Sequence, residues 1–406
     1  MLSSLRKKRY YNYLVWIFSF LLIALFFFLG SSLVMKPQWL AADDYLGYWA
    51  AALITVQGHN PYSPEWIQSL QSQTELSNEL VEVLDNSPWL LPTWSPPSTF
   101  PLLMPLAVLN YEFSRVAWFL VNIFVTIFCA ETLWRLYSGA LKMRWVSWLL
   151  AFSFIPVLDA VKKGQIGILI LLGIVGFLYF QDKKRPWLAG IALALLVIKP
   201  HVAYLFLLSV FIWSFYNRKW SVILGFTLTI LGMTIISSLF SPTIVSDYLY
   251  AIINYPPSDW LTPTIGGFLR LLFGGEHFWL QFISLLFGIG WLMFYWIKYR
   301  KNWDWLSQTP LIVLVSLLTA AYGWSFDQPA ALVAIIQIFV LVSVFPSKKA
   351  SSLIFATYIM INVLNIISPG NEIFLVWLAP VLLLWYLASK WTIEHRISNN
   401  ETKHQY

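Results

Sequence analysis

Long apolar runs separated by short polar stretches dominate this chain. Twelve of them, at roughly 14–35, 114–137, 145–160, 165–181, 187–199, 201–216, 220–240, 277–297, 309–324, 329–345, 351–367 and 372–390, have the character of membrane-crossing segments. Irregular backbone cannot face lipid with its polar groups unpaired, so the pattern predicts an all-α, polytopic transmembrane helical bundle. An even number of spans places both termini on one side. Two intervals are too long to be simple turns, 36–113 and 241–276. In the first, Leu46, Trp49, Ala50 and Leu53 recur at helical spacing and predict a surface helix over 43–57. Residues 63–95 are polar and acidic, with Glu65, Glu75, Glu79, Glu82 and Asp85. Residues 99–109, TFPLLMPLAVL, are apolar but too short and proline-rich to span, and suit a segment lying in the interface. The second interval holds another short apolar piece that cannot span. The organisation predicted is one transmembrane domain over 1–390 and a short, mobile, polar cytoplasmic tail over 391–406.

The run at 187–199 covers only about 20 Å as a helix, against about 30 Å of hydrocarbon. It meets the next run at Lys199-Pro200-His201. A single helix over 187–216 would put Arg218 and Lys219 on the opposite side from Lys183, Lys184 and Arg185, so a break is predicted there. An outward-facing cavity with its floor near Lys199 follows from that break.

Composition agrees with a membrane protein. Only 11% of residues are charged and 59% are hydrophobic, with a mean hydropathy of +0.67, whereas a soluble chain carries about 25% charged residues. The first run follows Arg6-Lys7-Lys8-Arg9 and lacks a small-x-small cleavage pattern, which predicts a retained anchor. The single cysteine, Cys129, excludes a disulfide or cysteine metal site within one chain. The 23 Trp and 20 Tyr residues suit interfacial belts and helix packing. Although the net charge is +7, the cations are dispersed among span ends, which excludes a nucleic-acid partner. With cytoplasmic termini, 20 of the 26 Lys and Arg residues fall on the cytoplasmic side, leaving Lys36, Arg115, Lys162, Lys163, Lys199 and Arg270 outside. That asymmetry supports the orientation, in what is expected to be a bacterial plasma membrane.

Against this background the adjacent carboxylates Asp43 and Asp44 stand out, just after the first span. One of them suits a helix N-cap. Two partly desolvated carboxylates repel and raise one pKa, which suits a general base. The scarce outer cations are the second candidates: Lys163 before Gly164-Gln165, Lys199 before Pro200-His201, and Arg270 after Gly266-Gly267. Headgroup snorkelling accounts for such residues, and so does binding a lipid-linked phosphate. Asp327 in YGWSFDQP serves either as a turn cap or to hold an acceptor hydroxyl. His59 and His201 lack the spacing of a metal site, and no metal or cofactor is expected.

Several stretches in order carry a resemblance: Asp44 with Tyr48-Trp49-Ala50-Ala51, Gly58-x-x-Pro61-Tyr62, Pro96-Pro97 with Pro101 and Pro105, Gly164-Gln165, and Ile198-Lys199-Pro200. Together, over about residues 40–220, they resemble GT-C-type integral-membrane glycosyltransferases. The nearest group is the polyprenyl-phosphate-mannose-dependent mannosyltransferases that elongate phosphatidylinositol mannosides. Where that group often carries two histidines after the ninth span, this chain has Asp327-Gln328. The resemblance implies transfer of a hexose from a polyprenyl-phosphate donor to a lipid or glycan acceptor on the outer face, with inversion. Asp44 would be the base, supported by Asp43. Lys199, Arg270, Lys163 and His201 would hold the donor phosphate, and Tyr48, His59, Tyr62, Gln165 and Asp327 the sugar or acceptor. Two other classes fit twelve spans: a lipid or sugar transporter or flippase, and a noncatalytic paralogue. Transporters place polar groups near mid-membrane between paired repeats, whereas the notable charges here sit at outer helix ends.

Overall fold

Helices break in this protein where proline, glycine or a polar residue interrupts an apolar run. The computed structural model describes residues 43–73, 91–368 and 372–403, and over these the chain is helical, without a strand. The predicted first span, its Arg6–Arg9 flank, Lys36, and Glu75, Glu79, Glu82 and Asp85 lie outside the described residues.

Each of the other predicted spans falls on a helix or helix pair. Six are long and apolar enough to cross a membrane: Tyr111–Leu136, Trp220–Phe240, Phe278–Asn302, Ser325–Val344, Lys348–Ile367 and Glu372–His395. A seventh arises if Leu141–Ser153 and Ile155–Lys163, bent by 67°, form one span. Ile168–Asp182, Pro186–Ile198, Tyr204–Tyr216 and Trp305–Thr319 are apolar but shorter. The described residues therefore hold six or seven spans by length, fewer than the apolar runs predict. The difference is one of helix length. Ile168–Asp182 and Trp305–Thr319 are also covered by protein on most faces, and a helix apolar all round reads the same whether lipid or protein surrounds it. At the other end, helix Leu378–Lys403 runs on through the segment predicted as a mobile tail. A Lys390–Glu394 pair at 4.0 Å, one turn apart, lies on this extension.

The 67° bend sits at Phe154, whose extended backbone precedes Pro156 in the first turn of the next helix. Backbone groups freed at such a break need partners. Here Asn362 Oδ1 accepts from the Ile155 N–H at 2.9 Å, and Tyr358 OH bonds Ser153 Oγ at 3.1 Å. A second break follows Pro186–Ile198. Lys199 precedes Pro200, is sterically pushed out of the α region, and adopts φ −136°, ψ 74°. The chain turns over 199–203 and resumes as Tyr204–Tyr216.

Helix Asp43–Val56 is buried rather than on the surface. Its Ala51, Ala52 and Ile54 are as enclosed as Leu46 and Trp49, because both faces are apolar. Helices Phe100–Ala107, Tyr111–Leu136, Ile155–Lys163 and Trp220–Phe240 contact it. Tyr45 OH bonds Ser114 Oγ at 2.6 Å, and the Tyr45 ring stacks on Trp118 at 5.5 Å. One continuous apolar core runs from Tyr45 to Ile393. A smaller one joins Ala51, Tyr62, Leu91, Phe100 and Met104 to helix Ile244–Asn254.

Candidate active site

Four helix ends converge and bring five of the candidate residues into one hydrogen-bonded line. Gly164 ends helix Ile155–Lys163 in a left-handed conformation, φ 67°, which a side chain would strain. Its carbonyl accepts from Trp118 Nε1 at 2.8 Å, fixing the turn that presents Gln165. Gln165 Nε2 donates to Asp44 Oδ2 at 2.7 Å. Gln165 Oε1 accepts from Lys199 Nζ at 2.7 Å and from Tyr48 OH at 3.1 Å. Lys199 Nζ also donates to Asp327 Oδ1 at 2.7 Å. The amide orientation is thus set by a carboxylate at one end and an ammonium at the other.

Asp327 is 2% exposed and Lys199 12%. Asp327 also caps its own turn, with Oδ2 accepting from the Trp324 N–H at 3.1 Å, so it fills the turn role foreseen for it and ion-pairs as well. Tyr48 is held protonated: burial is the main cause of a hydroxyl pKa pushed up to about 12, Lys199 acts the other way, and Asp44 and Asp327 add to the rise. Tyr48 is therefore a fixed donor to Gln165.

Lys163 ion-pairs with Glu372 and lies 4.5 Å from the centre of the Phe326 ring. Lys199 Nζ is 5.3 Å from the same ring, so Phe326 sits against both cations. Asp159 Oδ2 accepts from Ser325 Oγ at 3.2 Å, joining helix Ile155–Lys163 to the 325–327 turn. Asp159, Ser325, Phe326 and Glu372 were not among the sequence candidates. A signal existed for Asp159, a carboxylate inside a predicted span. None existed for Phe326 among 30 phenylalanines.

The other candidates lie elsewhere. The Asp43 side chain is outside the described residues. His59 is exposed in the turn after helix Asp43–Val56, with Nδ1 2.9 Å from the Gln57 carbonyl. Tyr62 is buried in the smaller core, its OH donating to the Ser95 carbonyl at 2.7 Å. His201 lies beside the cluster, its ring edge-on to Tyr322 at 6.1 Å. Arg270 is 2% exposed, and its guanidinium donates to the carbonyls of Ser258, Trp260 and Gly275 and to Gln281 Oε1. It ties the 255–281 segment together. Arg270→Leu strands those acceptors, and we expect a loss of roughly 3 kcal/mol, read as lower thermal stability. An unchanged melting temperature would refute that scaffolding role.

A family model described as Glycosyltransferase family 87 matches residues 95–347, more than half of the chain. The chain belongs to Glycosyltransferase family 87. The match takes in Gln165, Lys199 and Asp327, while Asp44 and Tyr48 precede it. No curated protein and no solved structure matches the chain. With its apolar helices of spanning length, this family 87 protein is a membrane glycosyltransferase. For glycosyl transfer a site needs a group to take the acceptor's proton and a charge to stabilise the leaving group. Here a carboxylate, Asp44, and an ammonium, Lys199, are joined through the one Gln165 amide.

Proposed function

We propose that the chain transfers a hexose, mannose-like, from a polyprenyl-monophosphate donor to a lipid or glycan hydroxyl on the outer face of a bacterial plasma membrane. The line Asp44–Gln165–Lys199–Asp327 carries this reading. Asp44 accepts the proton of the acceptor hydroxyl. The acceptor oxygen bonds to the anomeric carbon as the bond from that carbon to the phosphate oxygen breaks, and the electron pair leaves with the phosphate. Attack opposite the leaving group inverts the configuration. Lys199, with Lys163 against the same Phe326 ring, stabilises the growing phosphate charge. The donor's tail stays among the helices while its head reaches the cluster.

Placement of the cluster supports the outer face. Residues 44, 163–165, 199 and 327 belong to segments that the charge pattern assigns to the same side, and in the fold they meet. A transporter reading gains nothing comparable, since the ion pairs gather at helix ends.

Membranes carrying the chain, given a polyprenyl-phosphate donor with radiolabelled mannose, should transfer label to an endogenous lipid extract; no transfer from polyprenyl-phosphate mannose or glucose, with transfer from a nucleotide sugar instead, would refute the donor class. For orientation, a cysteine at Ser258 should react with an impermeant maleimide in intact cells, and one at Ser347 only after lysis. The reverse pattern would move the cluster to the cytoplasmic face.

A further inference from the structure

Helix Tyr111–Leu136 reaches the candidate active site near its start, where Trp118 bonds the Gly164 carbonyl. Arg135 follows roughly 25 Å further along the axis. There an open cleft of about 600 Å³ is lined by Arg135, Leu141, Lys142, Arg144, Trp145 and Trp148. This lining carries three cations and no carboxylate. The side chains of Arg135 and Arg144 are both about half exposed. Glu131 holds them side by side, since it ion-pairs with Arg135 one turn on and with Arg144 at 3.4 Å. A guanidinium has five N–H donors, so these two contacts leave most of both groups for another acceptor. Paired guanidiniums suit phosphate oxygens, which they meet in bidentate fashion.

The surroundings say what that phosphate is attached to. Helix Tyr111–Leu136 is long and apolar enough to cross a membrane. Leu120, Phe124, Phe128, Glu131 and Arg135 follow one another at steps of three and four residues, so they share one face. The first three are exposed apolar side chains, and Phe124 stacks on Phe128 at 6.5 Å. From Phe124 to Arg135 is about 16 Å along the axis. A hydrocarbon chain laid on this stripe brings its phosphate end to Arg135. A soluble phosphate gains nothing from the stripe, and a zwitterionic headgroup brings a cation of its own among three others. Trp145 and Trp148 are half-buried at the cleft, and such rings favour the headgroup level of a bilayer. The charge pattern assigns residues 135–144 to the cytoplasmic side, where anionic lipids draw basic segments.

We propose that this cleft binds the phosphodiester headgroup of an anionic phospholipid of the inner leaflet. Arg135 and Arg144 hold the phosphate oxygens, Lys142 adds a point charge, and one acyl chain lies along Phe128 and Phe124. The site lies at the opposite end of the helix from the Lys199 cluster and does not rest on the glycosyl-transfer reading. Binding there stabilises the folded chain by mass action.

The test uses the full chain in detergent micelles, with lipid binding read by native mass spectrometry. The probes are dioleoylphosphatidylglycerol, dioleoylphosphatidylcholine, polyprenyl monophosphate and glycerol phosphate. Wild type should prefer the phosphatidylglycerol to the phosphatidylcholine, which has the same chains. Arg135→Gln, Lys142→Gln and Arg144→Gln should each weaken phosphatidylglycerol binding about fivefold, and the triple variant about a hundredfold. Lys183→Gln, Lys184→Gln and Arg185→Gln together remove as many cations from the same predicted side, and should leave that affinity near wild type. Equal loss in both triple variants means diffuse charge and overturns the site. Glu131→Gln tests the proposal in the opposite direction, without removing a cation. Its amide oxygen can still accept from both guanidiniums while the opposing charge is gone, so phosphatidylglycerol should bind about fivefold tighter. Unchanged or weaker binding in that variant counts against the cleft. Glycerol phosphate bound as tightly as the lipid makes this a soluble-phosphate site and overturns the lipid assignment. Loss confined to polyprenyl monophosphate overturns it too, in favour of the isoprenoid lipid.

Discussion

Asp44→Asn should fold like wild type and transfer sugar at least about a hundredfold more slowly, the scale of losing a general base. The side chain sits in the first turn of helix Asp43–Val56, where an acidic group is favoured by the helix dipole. Asparagine preserves its shape, and its amide oxygen can still accept from Gln165 Nε2, which now bonds Asp44 Oδ2 at 2.7 Å. What asparagine cannot do is take a proton. Thermal stability should therefore fall by no more than about 1 kcal/mol, within the range for helix-end substitutions. Turnover, measured with radiolabelled polyprenyl-phosphate donor, isolates the chemical step. Asp43→Asn is the control and should cost less, since it is Asp44 that Gln165 contacts. If Asp43→Asn abolishes transfer while Asp44→Asn does not, the base is the neighbouring residue. If neither matters in an active preparation, the carboxylates are structural and the mechanism fails.

Much of this arrangement could be read before any coordinates, and what could not has identifiable causes. Asp44, Tyr48, Gln165, Lys199 and Asp327 are each polar or ionisable groups at the edges of apolar runs, where a charge is costly and so conspicuous. Their mutual bonds were not legible. Gln165 is 121 residues from Asp44, and Lys199 is 128 from Asp327. Contacts of that separation depend on how helices pack, which periodicity does not encode. The break at Lys199 was legible because an unbroken helix would have put Arg218 and Lys219 on the wrong side; the proline that follows gives its local cause. Burial of helix Asp43–Val56 was not, since Leu46, Trp49, Ala50 and Leu53 are equally consistent with one covered face or two. Span number is set less sharply for a related reason: among the described residues six or seven helices have spanning length and four more are apolar but shorter, and hydropathy reports that a helix avoids water, not whether lipid or protein surrounds it. Arg270 was legible only as an isolated outer cation, whereas the fold gives its guanidinium five hydrogen bonds to the carbonyls of Ser258, Trp260 and Gly275 and to Gln281 Oε1.

The Lys199–Asp327 pair calls for a double substitution. With Asp327 2% exposed, removing Lys199 alone leaves a carboxylate buried without its counter-ion, and breaking a buried pair costs about 3–5 kcal/mol. Lys199→Met should therefore lower both stability and transfer, and by itself would not separate folding from function. Adding Asp327→Asn removes the stranded charge. The introduced amide keeps an oxygen for the Trp324 N–H, now bonded to Asp327 Oδ2 at 3.1 Å, and replacing both members of a buried pair is often close to neutral. The double variant should recover most of the lost melting temperature. It should not recover transfer, because no ammonium remains beside Gln165 to stabilise the departing phosphate; a deficit of about a hundredfold to a thousandfold is expected for losing one such electrostatic contact. Binding of bare polyprenyl monophosphate should weaken in parallel. Lys199→Arg should rescue stability better than transfer, since a planar guanidinium can pair with Asp327 but does not reproduce an ammonium shared between Asp327 and Gln165. If the double variant is stable and transfers at the wild-type rate, Lys199 is a clasp between helix ends and the phosphate must be held elsewhere, with Lys163 on the same Phe326 ring the next residue to change.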